Sequence, residues 1–111
     1  MKYVVDIDGT ICTQSNPDYQ NAKPFVDRIE ILNDLFDKGH TIIYCTARGM
    51  GRTNNNQKEA IDLMYDFTKK QLDNWGVKYH MLFLGKPAGD LYIDDKGMRD
   101  VNFFNQMESA L

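Results

Sequence analysis

Short apolar segments alternate with amphipathic segments along this chain, and that alternation is the feature that most restricts its fold. Four segments are short and rich in β-branched or aromatic residues, as buried strands are: residues 2–7, 40–45, 77–84 and 91–93. Three longer stretches carry apolar residues at helical spacing: 24–38, 57–74 and 98–111. Strands that alternate with helices form parallel sheets with right-handed crossovers. The sequence therefore predicts an α/β, Rossmann-like fold with a mostly parallel sheet of about four strands flanked by helices.

The helix ends and inner faces follow from individual residues. Pro24 predicts the start of the first helix, because its missing N–H leaves no hydrogen bond unmade there, and Gly39 predicts its end. The residues expected to face the core are Phe25, Ile29, Leu32 and Phe36, then Ile61, Met64, Thr68, Leu72 and Trp75, then Val101, Phe104, Met107 and Leu111. A chain of 111 residues encloses one core, so residues 1–111 are predicted to form one domain.

Composition argues against several classes of partner. With 16 acidic and 13 basic residues the net charge is −3, which provides no overall field for polyanions and disfavours nucleic acid, although a local basic patch stays open. Cys12 and Cys45 form no metal-binding or disulfide pattern, so we expect reduced thiols in the cytoplasm. No apolar run approaches the ~18 residues that cross a bilayer, so we expect no membrane partner.

Polar groups follow each apolar segment, where the ligand of a parallel sheet normally binds. The first group is Asp6-Ile7-Asp8-Gly9-Thr10, in which Gly9 permits a sharp turn that lets both carboxylates face one pocket. The hydroxyl of Thr46 can donate to a phosphoryl oxygen, and Lys86 can offset the repulsion of an incoming dianion. Asp94 and Asp95 add oxygen ligands of the kind that Mg²⁺ prefers.

Taken together, these four groups resemble the motifs of the haloacid dehalogenase-like (HAD) phosphohydrolase superfamily. The resemblance covers about residues 3–96, and the first motif is its most specific part. Gly85-Lys86-Pro87, a short gap and Tyr92-Ile93-Asp94-Asp95-Lys96 further resemble small capless members of the capsular-polysaccharide-biosynthesis type. The resemblance implies a single capless HAD-like hydrolase domain.

The resemblance also implies roles for the residues of the motifs. Asp6 would be the nucleophile that forms an aspartyl-phosphate, and Asp8 the general acid and base. Mg²⁺ would be held by Asp6, the backbone carbonyl of Asp8 and Asp95, with Asp94 binding directly or through water. Thr46 and Lys86 would bind the phosphoryl group.

The expected function is a Mg²⁺-dependent phosphomonoesterase acting on a small phosphorylated metabolite such as a sugar phosphate. Neither the loop at 12–24 nor the region after the second strand has room for a cap domain, so the site is expected to be open. Arg48 and Arg52 in the following loop are candidates for substrate specificity, because guanidinium groups bind phosphates and carboxylates bidentately. An open site either accepts a bulky substrate or is closed by an oligomeric neighbour. The alternative substrates are therefore a polynucleotide 3′-end or a phosphoprotein. The alternative to an enzyme is a non-catalytic phosphate- or metal-binding module.

Overall fold

The sheet of this protein is parallel and has three strands. The computed structural model describes residues 1–110. Strands β1 (Lys2–Val5), β2 (Thr41–Thr46) and β3 (Met81–Leu84) lie in the order β1-β2-β3. Strand β2 pairs in parallel with both neighbours, which confirms the α/β class and the predicted direction of the strands. The predicted number of about four strands is wrong by one within the described residues.

Three helices accompany the sheet: α1 (Val26–Asp37), α2 (Gln57–Asn74) and α3 (Asp100–Ala110). The predicted bounds of α2 are confirmed, and the position predicted for Leu111 in the last helix lies outside the described residues. The first helix begins two residues later than predicted. Pro24 is still paired with Cys12 in an antiparallel bridge, and the Phe25 N–H donates to the Ile11 carbonyl at 2.8 Å, so the chain stays extended up to Phe25.

One face of the sheet carries the hydrophobic core. Successive strand residues point to opposite faces, so burial alternates along β2 and β3. The central buried residues are Ile42 and Tyr44 of β2, Leu82 and Leu84 of β3, Ile29 and Leu32 of α1, Met64 and Leu72 of α2, and Phe104 of α3. Phe25 and Ile61 are more exposed than predicted, and Ala60 is buried beside Met64 on the inner face of α2.

The predicted strand at residues 91–93 does not form. Leu91 and Ile93 are 76% and 86% exposed. Residues after β3 are bound to the start of α2 and the loop before it: the Gly85 carbonyl accepts from Gln57 Nε2 at 3.0 Å, and the Ala88 N–H donates to Asn55 Oδ1 at 3.0 Å. The free edge of β1 lies about 10 Å across the sheet from β3, since neighbouring strands are about 4.8 Å apart. The segment is therefore held near β3 and α2. It does not reach the free edge of β1, where a further strand would have to pair.

No helix in the described part of the chain is both long enough and apolar enough to cross a membrane.

Two isoleucine-to-alanine variants test this arrangement. Ile42 is fully buried, so Ile42→Ala should lower the free energy of unfolding by about 2–5 kcal/mol in urea denaturation. Ile93 is highly exposed, so Ile93→Ala should change it by less than about 0.5 kcal/mol. Equal losses in the two variants would show that residues 91–93 are buried in solution and would contradict the three-stranded sheet.

Candidate active site

The turn that follows β1 directs two carboxylates into one cleft. The Thr10 and Ile11 N–H groups both donate to the Ile7 carbonyl, at 3.0 and 2.9 Å, and this closes the chain on itself directly after the strand. Gly9 has a φ of 78°, a conformation that is strained for other residues. Because the turn is this tight, Asp6 and Asp8 line the same cleft.

The cleft has a volume of about 580 Å³ and lies at the carboxyl ends of the strands. Four segments form it: the turn after β1, the flap (residues 12–24), the loop between β2 and α2, and the chain after β3. Its lining residues are Asp6, Asp8, Gln14, Asn16, Pro17, Tyr19, Thr46, Ala47, Arg48, Gly49, Gly51, Arg52, Ala88, Gly89 and Tyr92. The edge predicted from the parallel sheet is therefore where the cleft lies.

Asp6 is the more accessible of the two carboxylates. Its side chain is 37% exposed, and its Oδ1 lies 3.9 Å from the Lys86 ammonium. Partial burial raises the pKa of Asp6 above the usual carboxyl range, while the positive charge of Lys86 acts in the opposite direction. The Lys86 ammonium also lies 4.1 Å from the centre of the Tyr92 ring, which holds it near the cleft. Asp6 thus presents a reactive oxygen beside a positive charge.

Asp8 is held by Arg48. Arg48 Nε donates to Asp8 Oδ2 at 2.9 Å, and a terminal nitrogen of the guanidinium donates to Oδ1 at 3.0 Å. The Arg48 side chain is 0% exposed. The prediction that Arg48 grips the substrate is therefore corrected, because its guanidinium is buried against Asp8. Arg52, the other predicted specificity residue, is exposed at the rim of the cleft.

Cys12 contacts Asp8 from the other side, a contact that the sequence reasoning missed. Its Sγ lies 3.5 Å from Asp8 Oδ1 and donates to it. Burial, with the negative charge of Asp8 as a second cause, raises the pKa of the Cys12 thiol to about 12. The thiol is therefore protonated at neutral pH and acts as a hydrogen-bond donor, since a nucleophilic cysteine requires the thiolate.

Thr46 and Lys86 lie together at the ends of β2 and β3. The Lys86 N–H donates to the Thr46 carbonyl at 3.2 Å, which ties the two residues. The Thr46 hydroxyl accepts from the Arg48 N–H at 3.1 Å, so its own hydrogen is available to an acceptor in the cleft. The structure thus places Lys86 beside Asp6, and Thr46 in the same cleft as Asp6.

Asp94 and Asp95 are not brought to this site. Both are exposed, and Asp94 Oδ1 accepts from the backbone N–H groups of Lys96 and Gly97. In residues 1–110 no three acidic, histidine or cysteine side chains lie close enough to hold a metal ion. The predicted magnesium site of Asp6, Asp8, Asp94 and Asp95 is therefore not assembled, because the strand that was to carry the last two residues does not form.

Comparison with solved structures defines the class of protein. No family model matches the chain, and neither does any curated protein. A D,D-heptose 1,7-bisphosphate phosphatase from B. bronchiseptica, crystallised with magnesium and phosphate, superposes with a TM-score of 0.53 at 13% identity, over 80% of this chain and 51% of that one. That likeness shows a shared α/β fold.

The match to a crystal structure of an MCSG target from Vibrio cholerae is stronger. It has a TM-score of 0.83 and 30% identity over 97% of this chain and 94% of that one. The chain belongs to the same family as this Vibrio cholerae protein.

The two carboxylates should differ in their effect on stability. Asp8→Ala leaves the buried Arg48 guanidinium unpaired, so it should lower the free energy of unfolding by about 3–5 kcal/mol. Asp6→Ala removes a partly exposed carboxylate whose nearest ammonium is 3.9 Å away, and should change the same quantity by less than about 1 kcal/mol. Urea denaturation of both variants measures the difference, and a loss that is equal or larger for Asp6→Ala contradicts the assigned pairing.

Proposed function

We propose that this protein is a phosphomonoesterase that uses Asp6 as its nucleophile and Asp8 as its general acid and base. The observation that carries the proposal is the pair of carboxylates in one cleft, one accessible beside Lys86 and the other fixed by Arg48. A base and a nucleophile in different surroundings are what a two-step transfer requires. The α/β fold, shared with a known phosphatase, is consistent with this chemistry.

The atoms and protons of the reaction balance with water, a phosphomonoester, Asp6 and Asp8. In the first step an Asp6 oxygen attacks phosphorus, the ester P–O bond breaks, and Asp8 gives its proton to the leaving alkoxide. In the second step Asp8 takes a proton from water, the water oxygen attacks phosphorus, and the bond between phosphorus and Asp6 breaks. Inorganic phosphate leaves, Asp6 is again a carboxylate, and Asp8 is again the protonated carboxyl group that enters the first step.

Charges around Asp6 explain how an anionic nucleophile meets an anionic substrate. The Lys86 ammonium reduces the repulsion between Asp6 and a phosphate dianion, and the Thr46 hydroxyl can donate to a phosphoryl oxygen. Arg52 at the rim offers a second cation for another anionic group of the substrate. We propose a small phosphorylated metabolite as substrate, because a cleft of about 580 Å³ encloses a molecule of that size.

Replacement of the nucleophile tests the proposal. Asp6→Asn removes the attacking charge while keeping the shape of the side chain, so phosphate release from p-nitrophenyl phosphate should fall to background. Asp34→Asn, an exposed carboxylate on α1 paired with Lys38, is the matched control and should retain the wild-type rate. Turnover by Asp6→Asn at the wild-type rate would overturn the assignment of Asp6.

We also propose Mg²⁺ as the cofactor. A bound Mg²⁺ would supply charge that stabilises the transferring oxygens. Mg²⁺ commonly uses one or two carboxylates and completes its shell with water and substrate oxygens, so Asp6 and Asp8 supply part of a site. Participation of Asp94 and Asp95 would require residues 91–95 to leave the exposed position that they have in this structure.

Calorimetric titration with Mg²⁺ alone tests that ligand set. Asp95→Asn should weaken Mg²⁺ binding at least about tenfold if Asp95 is a ligand, whereas Asp90→Asn, an exposed acid in the same segment, should leave it unchanged. Equal affinities in both variants would remove Asp95 from the site. Absence of any Mg²⁺ binding by the wild-type chain, together with full activity in EDTA, would overturn the proposed cofactor.

A further inference from the structure

We propose that Arg48 is a positioning residue for the reaction: it holds the Asp8 carboxylate in the one orientation in which Asp8 can exchange a proton with the leaving group and with water. This inference rests on the proposed function. It replaces the expectation that Arg48 binds substrate, and it follows from where the guanidinium lies.

The contact between Arg48 and Asp8 orients the Asp8 carboxylate as well as neutralising its charge. Two hydrogen bonds, of 2.9 and 3.0 Å, join the planar guanidinium to both oxygens of the carboxylate. A bidentate pair of this kind restrains rotation of the carboxylate in a way that a single hydrogen bond does not. The Cys12 thiol adds a third, longer contact to Asp8 Oδ1. Three side-chain contacts therefore hold Asp8, whereas the Asp6 carboxylate has the Ile7 backbone N–H and an ammonium at 3.9 Å.

Arg48 is itself held by helix α2. One terminal nitrogen of its guanidinium donates to Gln71 Oε1 at 2.7 Å and lies 3.4 Å from the Thr68 hydroxyl. The loop carrying Arg48 runs directly against the same helix, since a Cβ on Gly49 would lie 3.2 Å from the Ala60 Cα. Side chains of α2 thus hold the guanidinium, and through it the Asp8 carboxylate.

The same network reaches the flap. Gln71 Nε2 donates to the Tyr19 carbonyl at 2.8 Å, and the Arg48 guanidinium lies 4.7 Å from the centre of the Tyr19 ring. Tyr19 lines the cleft. Arg48 and Gln71 therefore connect the acid and base of the reaction to the segment that borders the substrate.

Stability alone gives little reason for such a pair. A buried ion pair contributes little compared with apolar side chains that fill the same volume, because both charges lose their hydration. What this pair does supply is a single geometry for Asp8, and geometry is what general acid catalysis requires. That distinction leads to a measurement that a purely structural role would not affect.

The leaving group provides the measurement. An alkoxide is strongly basic and departs slowly without a proton, whereas p-nitrophenolate departs readily without one. Loss of a correctly placed acid should therefore lower kcat/KM for an alkyl phosphate by about 10²–10³ and for p-nitrophenyl phosphate by less than about tenfold. We expect this larger loss for the alkyl phosphate in Asp8→Asn. We expect the same selective loss in Arg48→Met, because Arg48 acts through Asp8.

The experiment compares kcat/KM for glycerol phosphate and p-nitrophenyl phosphate in wild type, Asp8→Asn, Arg48→Met and Arg48→Lys. Arg48→Met should lower the ratio of the two constants at least about tenfold. Arg48→Lys should give an intermediate ratio, because an ammonium keeps the charge and loses the bidentate geometry. Lys78→Met is the control: Lys78 is another aspartate-paired cation, 2.8 Å from Asp37 and absent from the lining of the cleft, and its loss should leave the ratio unchanged.

If Arg48→Met does not fold, Gln71→Met takes its place as a smaller change. Thermal denaturation identifies folded variants, and Gln71→Met removes the support of Arg48 while leaving both charges in place. Its ratio should fall in the same direction as that of Arg48→Met. If both folded variants lower the two constants by the same factor, Arg48 has no positioning role and the proposed phosphatase remains. If wild type hydrolyses neither substrate, nor any other phosphomonoester in a panel, the proposed function itself is overturned.

Discussion

The buried ion pair of Asp8 and Arg48 is the interaction on which the rest of the cleft depends. It joins the turn after β1 to the loop after β2, and its guanidinium continues to α2 through Gln71. Gln71 in turn binds the flap at the Tyr19 carbonyl. Four segments that are distant in the chain therefore share one network, and removing either charge would leave the other buried without a partner.

Much of this arrangement could be predicted from residues alone. A β-branched strand followed by Asp-x-Asp-Gly indicates carboxylates at a strand end, and the parallel direction of β1 and β2 then places Asp6, Asp8 and Thr46 at one edge of the sheet. The bounds of α2 followed from the spacing of Met64, Thr68 and Leu72. These predictions succeeded because they depend on local periodicity and on the sheet rule, which require no knowledge of individual contacts.

The failures have a common physical reason: they depend on tertiary contacts that composition does not show. Leu91 and Ile93 have strand-like character, but the bonds of Gly85 to Gln57 and of Ala88 to Asn55 hold that segment away from the edge of β1. The acidic pair that follows is displaced with it, so the predicted metal set is incomplete in this structure. Arg48 looked like a loop cation, and only its burial shows that its partner is Asp8. An arginine two residues after one strand end, opposite an acid three residues after the end of the neighbouring strand, is the signal that could have found it.

The central claim is that phosphate passes through Asp6, and direct detection of the intermediate tests it best. The wild-type protein would be mixed with an excess of p-nitrophenyl phosphate, quenched in acid within the first turnover, digested and mapped by mass spectrometry. The account predicts a phosphoryl group on Asp6 that hydroxylamine removes, as expected of an acyl phosphate. Turnover with no label on Asp6, or with the label on another residue, would contradict the account.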